Sequence, residues 1–161
     1  MAIGDITIFE QGSIQAVGAQ KANVAAAATA ILPGEPVAAT LGGTTVTALA
    51  TSKPVVGTDY MAGIATSTST QTASLAGTVD YLPLIAGTTY LISPKVPASW
   101  NTQALYDALV GKRLLLDLTS GVYTINAVDG ATSGCIVVPM DITRFPGKVA
   151  FKIRNGVSFL A

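Results

Sequence analysis

The sequence predicts a mainly β protein: a small β-sandwich or barrel-like domain of short strands and hairpins, with one short helix near residues 100–110. Three observations predict it. Short runs rich in valine, isoleucine and threonine recur along the chain, and β-branched residues suit a pleated surface. Glycine and proline break these runs at short intervals, as turns require. Only one stretch carries both a start and a stop signal for a helix.

At the N-terminus "AIGDITIFE" alternates around Ile6 and Ile8 and reads as an arm or edge strand, so residues 1–21 form an N-terminal arm and 22–161 the β-rich domain. Alanine propensity alone would make 22–32 helical, but no stripe of large apolar residues appears there. An extended conformation is expected instead. "PGEPV", Pro33 to Val37, reads as a turn leading into a strand. "VAATLGGTTVTALAT" reads as a hairpin bent at Gly42-Gly43. The following stretch gives strand pieces split by Gly57, Gly63 and Gly77. Within it, seven of the nine residues from Thr66 to Ser74 are threonine or serine, which suits a strand with a polar face or a loop. "TTYLISP" is a strand ended by Pro94.

The helix is expected in "PASWNTQALYDALVGK", with Ser99 or Asn101 as N-cap, Leu105, Ala108 and Leu109 as its apolar side, and Gly111 as its stop. Three strands should follow, with bends at Thr119–Gly121 and Asp129–Gly134. In "GKVAFKIRNGVSFLA", Val149, Phe151 and Ile153 alternate with Lys148, Lys152 and Arg154, and Asn155-Gly156 signals a hairpin bend. Sliding the chain by 77 residues pairs Gly34 with Gly111, Leu41 with Leu118, Thr47 with Thr124, Ala50 with Ala127 and Gly57 with Gly134. That pattern suggests two related halves, about 34–66 and 111–143.

Composition narrows the function. Charged residues make up 11%, nine acids against nine bases, far below a usual share of about 25%. A surface so poor in charge lacks one defence against association, so part of it is expected to be covered by partners. Zero net charge argues against a general nucleic-acid binder. The longest greasy run, Val24 to Leu32, is too short to cross a bilayer. "MAIGDITIFE" has acids at positions 5 and 10 and no basic start, unlike a signal peptide.

The chain has no histidine, which removes the commonest general base and metal ligand. Cys135 is alone and reads as a small buried strand residue. Asp80, Asp117, Asp129 and Asp141 are scattered, and Asp129-Gly130 reads as turn chemistry. "LVGKR" lacks the rest of a phosphate loop. No catalytic residue, cofactor or metal is therefore expected. Trp100 is read as a core plug at the start of the helix or as an interface anchor. Arg144, Lys148, Lys152 and Arg154 hold four of the nine bases, and no acid follows Asp141. They form either a solvated face or a patch that docks on an acidic protein surface.

Several stretches together resemble the small capsid decoration (cement) proteins of tailed bacteriophages. They are "AILPGEPVAATLGGTTVTALAT", "MAGIATSTSTQTASLAGTVDYLPL" and "LVGKRLLLDLTSGVYTINAVDGATSGCIVV", within residues 22 to 140. The carriers are the turn Gly34-Glu35-Pro36-Val37, then Gly63-Ile64-Ala65, a threonine-rich link, and Gly77-Thr78-Val79. The Trp100 helix and the basic C-terminal stretch depart from that pattern. The resemblance implies a structural, non-enzymatic virion protein, made in the host cytoplasm. It would bind the major capsid protein on the outer capsid surface and stabilise the shell, as a homotrimer. Contact candidates are the arm residues Ile3, Ile6, Ile8 and Phe9, with Trp100 and the four C-terminal bases. Rival readings are another virion component, such as a tail, collar or head-fibre base protein, or a surface adhesion module.

Overall fold

The computed structural model describes residues 7–10 (as backbone), 18–39, 43–85 and 87–154. It is mainly β. The strands are β1 (Thr7–Glu10), β2 (Gln20–Val24), β3 (Pro36–Ala39), β4 (Val46–Ala48), β5 (Tyr60–Ala65), β6 (Gly77–Pro83) and β7 (Thr89–Ile92). A single 3-10 turn (Pro97–Ser99) and helix α1 (Gln103–Asp107) follow. Then come β8 (Arg113–Leu114), β9 (Leu116–Thr119), β10 (Val122–Ile125), β11 (Cys135–Val137) and β12 (Val149–Ile153).

These strands form two curled sheets of the same design. The first runs β2-β6-β5-β3-β4, antiparallel throughout. A parallel bridge from Asn23 to Thr45 returns its last strand to its first. The second runs β7-β12-β11-β8, and one residue later the chain continues into the β9–β10 ribbon. A parallel bridge from Pro94 to Ile125 closes it in the same way. Strand β1 adds to the outer edge of β7.

The registers coincide as well. Tyr81 faces Gln20 and Ala65, as Phe151 faces Tyr90 and Val137. Gly63 faces Val37 as Cys135 faces Leu114. Gly34, at φ 85°, donates its amide to Ala65 O at 2.8 Å, and Gly111, at φ 81°, donates to Val137 O at 3.0 Å. Both glycines sit in the left-handed region, where a side chain is strained. The equivalent regions extend beyond 34–66 and 111–143, to Gln20–Pro83 and Thr89–Ile153. The 77-residue offset pairs Gly34 correctly with Gly111. It fails at the hairpin, where the registers place Thr47 opposite the role of Asn126 and Ala48 opposite that of Ala127.

The two cores differ in volume. The first is built from Val24, Ile31, Val37, Val46, Ala62, Ala65 and Val79, with Ala22, Ala39, Ala48 and Tyr81 among the residues against them. At the matching positions the second places Leu114, Ile125, Val137, Val149, Ile92, Leu116 and Phe151. Fully burying each such larger side chain contributes on the order of 2 kcal/mol.

The connection from Leu49 to Thr58 ties the halves together. Tyr123 donates its hydroxyl to Leu49 O at 2.6 Å, Lys53 and Leu116 exchange backbone bonds, and Gly134 N donates to Pro54 O at 2.8 Å. Asp117, whose side chain is 4% exposed, holds this junction. It accepts from Lys95 Nζ at 2.6 Å, from the Ser52 amide and hydroxyl at 3.2 and 3.1 Å, and from Asn126 Nδ2 at 3.1 Å. Burial alone would raise its pKa. The hydrogen bonds from Lys95 and Ser52, with the Lys95 charge, outweigh burial and hold it below the ordinary carboxylate value.

The hydroxyl-rich segment after β5 is not a strand. It is an irregular crossing between the alanine run and β6, and its side chains bond to main chain. Ser69 Oγ accepts from Ile31 N at 2.8 Å, Ser67 Oγ from Asp80 N at 3.0 Å, and Thr70 Oγ1 from Thr78 N at 3.0 Å. Gln71 Nε2 donates to Ala28 O at 3.0 Å. Small alanines let these backbones approach. A Cβ on Gly77 would overlap the backbone of Thr70 and Gln71, so this crossing needs glycine there.

Several expectations are corrected. The extended conformation expected for 22–32 lasts only to Val24, after which the chain turns at Ala26–Ala27. Gly63 lies inside β5 rather than splitting it, because a Cβ there would overlap Leu82 O. The three strands expected after the helix are four, β9 following β8 after one residue. Helix α1 is capped by Thr102, not Ser99 or Asn101: its hydroxyl accepts from Leu105 N at 3.2 Å. Pro97 and Ser99 are taken up by the 3-10 turn instead. Leu105, at 44%, and Ala108 are both exposed, Leu109 is half-buried, and Tyr106 is the residue α1 buries. The bend expected at Asn155-Gly156 lies outside the described residues, as does Gly42 of the earlier bend.

Candidate docking site

The nine contact candidates fall into separate groups. Ile3 and Ile6 lie outside the described residues, and Ile8 and Phe9 belong to the backbone of edge strand β1. Arg154 is spent internally: its Nη1 donates to Ala131 O and Ser133 O at 3.1 and 2.7 Å, fixing the bend before β11. Lys152 is half-buried on β12, opposite Ile136, which in turn faces Arg113 on β8.

Trp100 lies against the connection that carries Arg144 and Lys148. The insertion between β7 and β8 carries the 3-10 turn, Trp100 and α1, and it packs on the β11–β12 connection, residues 138–148. Gln103 makes that contact: its Nε2 donates to Met140 O at 3.0 Å and its Oε1 accepts from Ile142 N at 3.1 Å. Within the connection, Asp141 Oδ1 accepts from the Thr143 amide and hydroxyl at 2.9 and 2.7 Å. Those bonds, the hydroxyl's first, hold the Asp141 carboxyl below its ordinary value.

Between insertion and connection lies a pocket of about 300 Å³, walled by Pro94, Pro97, Trp100, Ile142, Thr143 and Pro146. The Trp100 ring is 5% exposed and meets Tyr106 edge-on at 5.9 Å. Trp100 is thus both core plug and pocket wall. Its Nε1 is buried without a hydrogen-bond partner, a costly state for a donor. Thr143 and Gly147, which also line the pocket, are the chain neighbours of Arg144 and Lys148. The Arg144 guanidinium lies 5.9 Å from the Phe145 ring centroid, and Lys148 Nζ donates to Ser93 Oγ at 3.1 Å.

This pocket can seat an apolar group against rigid proline and indole surfaces. The proline walls were missed in the sequence, although Pro94 and Pro97 flanking Trp100 are a legible signal. Cys135 is fully buried, and burial pushes its thiol pKa well up, so it is no nucleophile. Among the described residues no group of three histidine, cysteine, aspartate or glutamate side chains could hold a metal ion. Among them, too, no helix is long and apolar enough to cross a membrane. No protein-family model, curated protein or solved structure matches this chain.

Proposed function

We propose that the chain is a non-enzymatic structural protein of a virus particle, a decoration protein that binds the outer surface of a bacteriophage capsid as a homotrimer and stabilises the shell. The observation that carries this reading is the Trp100 pocket, walled by proline and indole, in a chain that is only 11% charged. An apolar pocket on a surface so poor in charge suits a protein partner that presents an apolar side chain. The stapled Ser/Thr crossing and the low charge suit a protein that works by covering surface. Many identical weak contacts across a lattice then add to a firm attachment.

The test is co-sedimentation of the purified chain with phage heads that lack their decoration protein. Saturable binding at a fixed number of copies per head supports the reading. A chain that stays in the supernatant at every concentration and ionic strength overturns it.

A further inference from the structure

The two halves differ at one place in a way that leaves space. Ala22, Ala39 and Thr44 of the first half occupy the register positions of Ile92, Leu116 and Tyr123 in the second. In the second half those three side chains, on β7, β9 and β10, are fully buried. In the first half the three smaller residues line an open cleft of about 240 Å³ at the seam of β2 and β4, together with Tyr81, Val46 and Ala62. The seam itself is held by the Asn23–Thr45 bridge. Its counterpart is held by two backbone bonds, Ile125 N to Ser93 O at 3.1 Å and Lys95 N to Ile125 O at 2.8 Å.

We propose that this cleft binds one leucine-sized or aromatic side chain, presented by an uncharged extended segment of a partner protein. The second half shows what shape the space accepts: branched aliphatic and phenolic groups against the same strand framework. Charge sets the other requirement. The only ion pair at the rim is Lys21 with Asp80, at 3.5 Å among the described residues, and it cancels itself. A neutral segment therefore matches the cleft better than an acidic or basic one. Asn23, Thr44 and Thr45 border the opening, and their side chains and the seam backbone can meet the segment's peptide groups. The small floor residues give the cleft an apolar base, as a docking pocket for an anchor side chain needs.

The experiment uses the full chain and three probes: N-acetyl-leucine amide, N-acetyl-tyrosine amide and N-acetyl-lysine amide. Amide chemical shifts of the isotope-labelled protein are followed during titration. The expected result is saturable shifts at Ala22, Ala39 and Thr45 with the leucine or tyrosine probe, and none with lysine. Ala22→Ile and, separately, Ala39→Leu copy the second half into the first. Each should fold, keep or raise its Tm, and weaken probe binding at least tenfold. Two independent fillings keep the test usable if one does not fold. Absence of saturable shifts, equal shifts with lysine, or undiminished binding in a folded filled variant would each overturn the proposal.

Discussion

The Tyr106 hydroxyl accepts a hydrogen bond from the Ala150 amide at 3.1 Å, and it donates to Val138 O at 2.8 Å. Ala150 is the counterpart of Asp80 in the first half, and there the same amide is capped by Ser67 Oγ at 3.0 Å. The neighbouring bonds match too: Thr66 N to Asp80 O at 2.8 Å and Val138 N to Ala150 O at 3.1 Å. One structural need, an amide left open where a ladder parts, is met by two unrelated side chains. Burial holds the Tyr106 phenol above its ordinary pKa, so it remains a neutral donor and acceptor.

Replacing Tyr106 by Phe leaves the Ala150 amide without its partner in the core. It should cost about 2 kcal/mol in urea unfolding. Ser67→Ala opens the equivalent amide, that of Asp80, at a more exposed site and should cost about 1 kcal/mol. Equal losses, or none at Tyr106, would show that the caps do not stabilise the ladder.

Asp117 sets the acid limit of stability. Its folded pKa is depressed, so the unfolded chain binds the proton more readily. The stabilisation is complete above the unfolded value of about 3.9 and is lost as pH falls through the folded one. Asp117→Ala leaves the Ser52 amide and Asn126 without their acceptor, while the half-exposed Lys95 ammonium stays in water, and should cost about 2 kcal/mol at pH 7. In that variant the fall in stability below about pH 4 should be shallower than in the parent. Thermal melts across pH 2 to 7 read both effects, and an unchanged acid slope would contradict the assignment.

Gly34 and Gly111 share a left-handed conformation and an equivalent hydrogen bond. Gly34→Ala and Gly111→Ala should each cost about 1 kcal/mol, by similar amounts. Gly77→Ala should cost more, about 3 kcal/mol, because backbone rather than conformation stands in the way. Chemical denaturation of the three variants reads the order, and a Gly77 variant as stable as the parent would refute the close packing.

Much of this architecture was legible in the chain, and the failures have physical causes. Strand positions followed from β-branched runs and glycine or proline breaks, as at Pro33–Val37 and at Thr89–Pro94. The hydroxyl-rich crossing was not legible, because its threonines satisfy backbone groups instead of forming a ladder, and β propensity cannot tell these apart. Leu105 was placed on the buried side of the helix, yet tertiary packing selected Tyr106, whose hydroxyl has a task. A single 77-residue offset could not trace both halves, since their connections differ in length while strand registers are kept. The candidate site was legible as residue types. That Arg154 is spent on the bend at Ala131 and Ser133, while Trp100 walls a pocket with Ile142 and Pro146, depends on contacts far apart in the chain.

Docking of the C-terminal bases on an acidic capsid surface would give a graded response to charge. Arg144→Glu with Lys148→Glu should weaken capsid attachment about tenfold at low salt, with the gap closing as salt rises. Because Lys148 also bonds Ser93, the variant's Tm must be measured alongside. Arg154→Gln should instead lower stability and leave attachment of the folded fraction unchanged. A double charge reversal without effect at any ionic strength would move the contact elsewhere.

The most direct measurement of the central claim is sedimentation of the purified chain, alone and with phage heads lacking their decoration protein. The account predicts a trimer in solution and saturable binding at a fixed stoichiometry, weakened by the double charge reversal. A stable monomer that leaves heads bare at every salt concentration would contradict it.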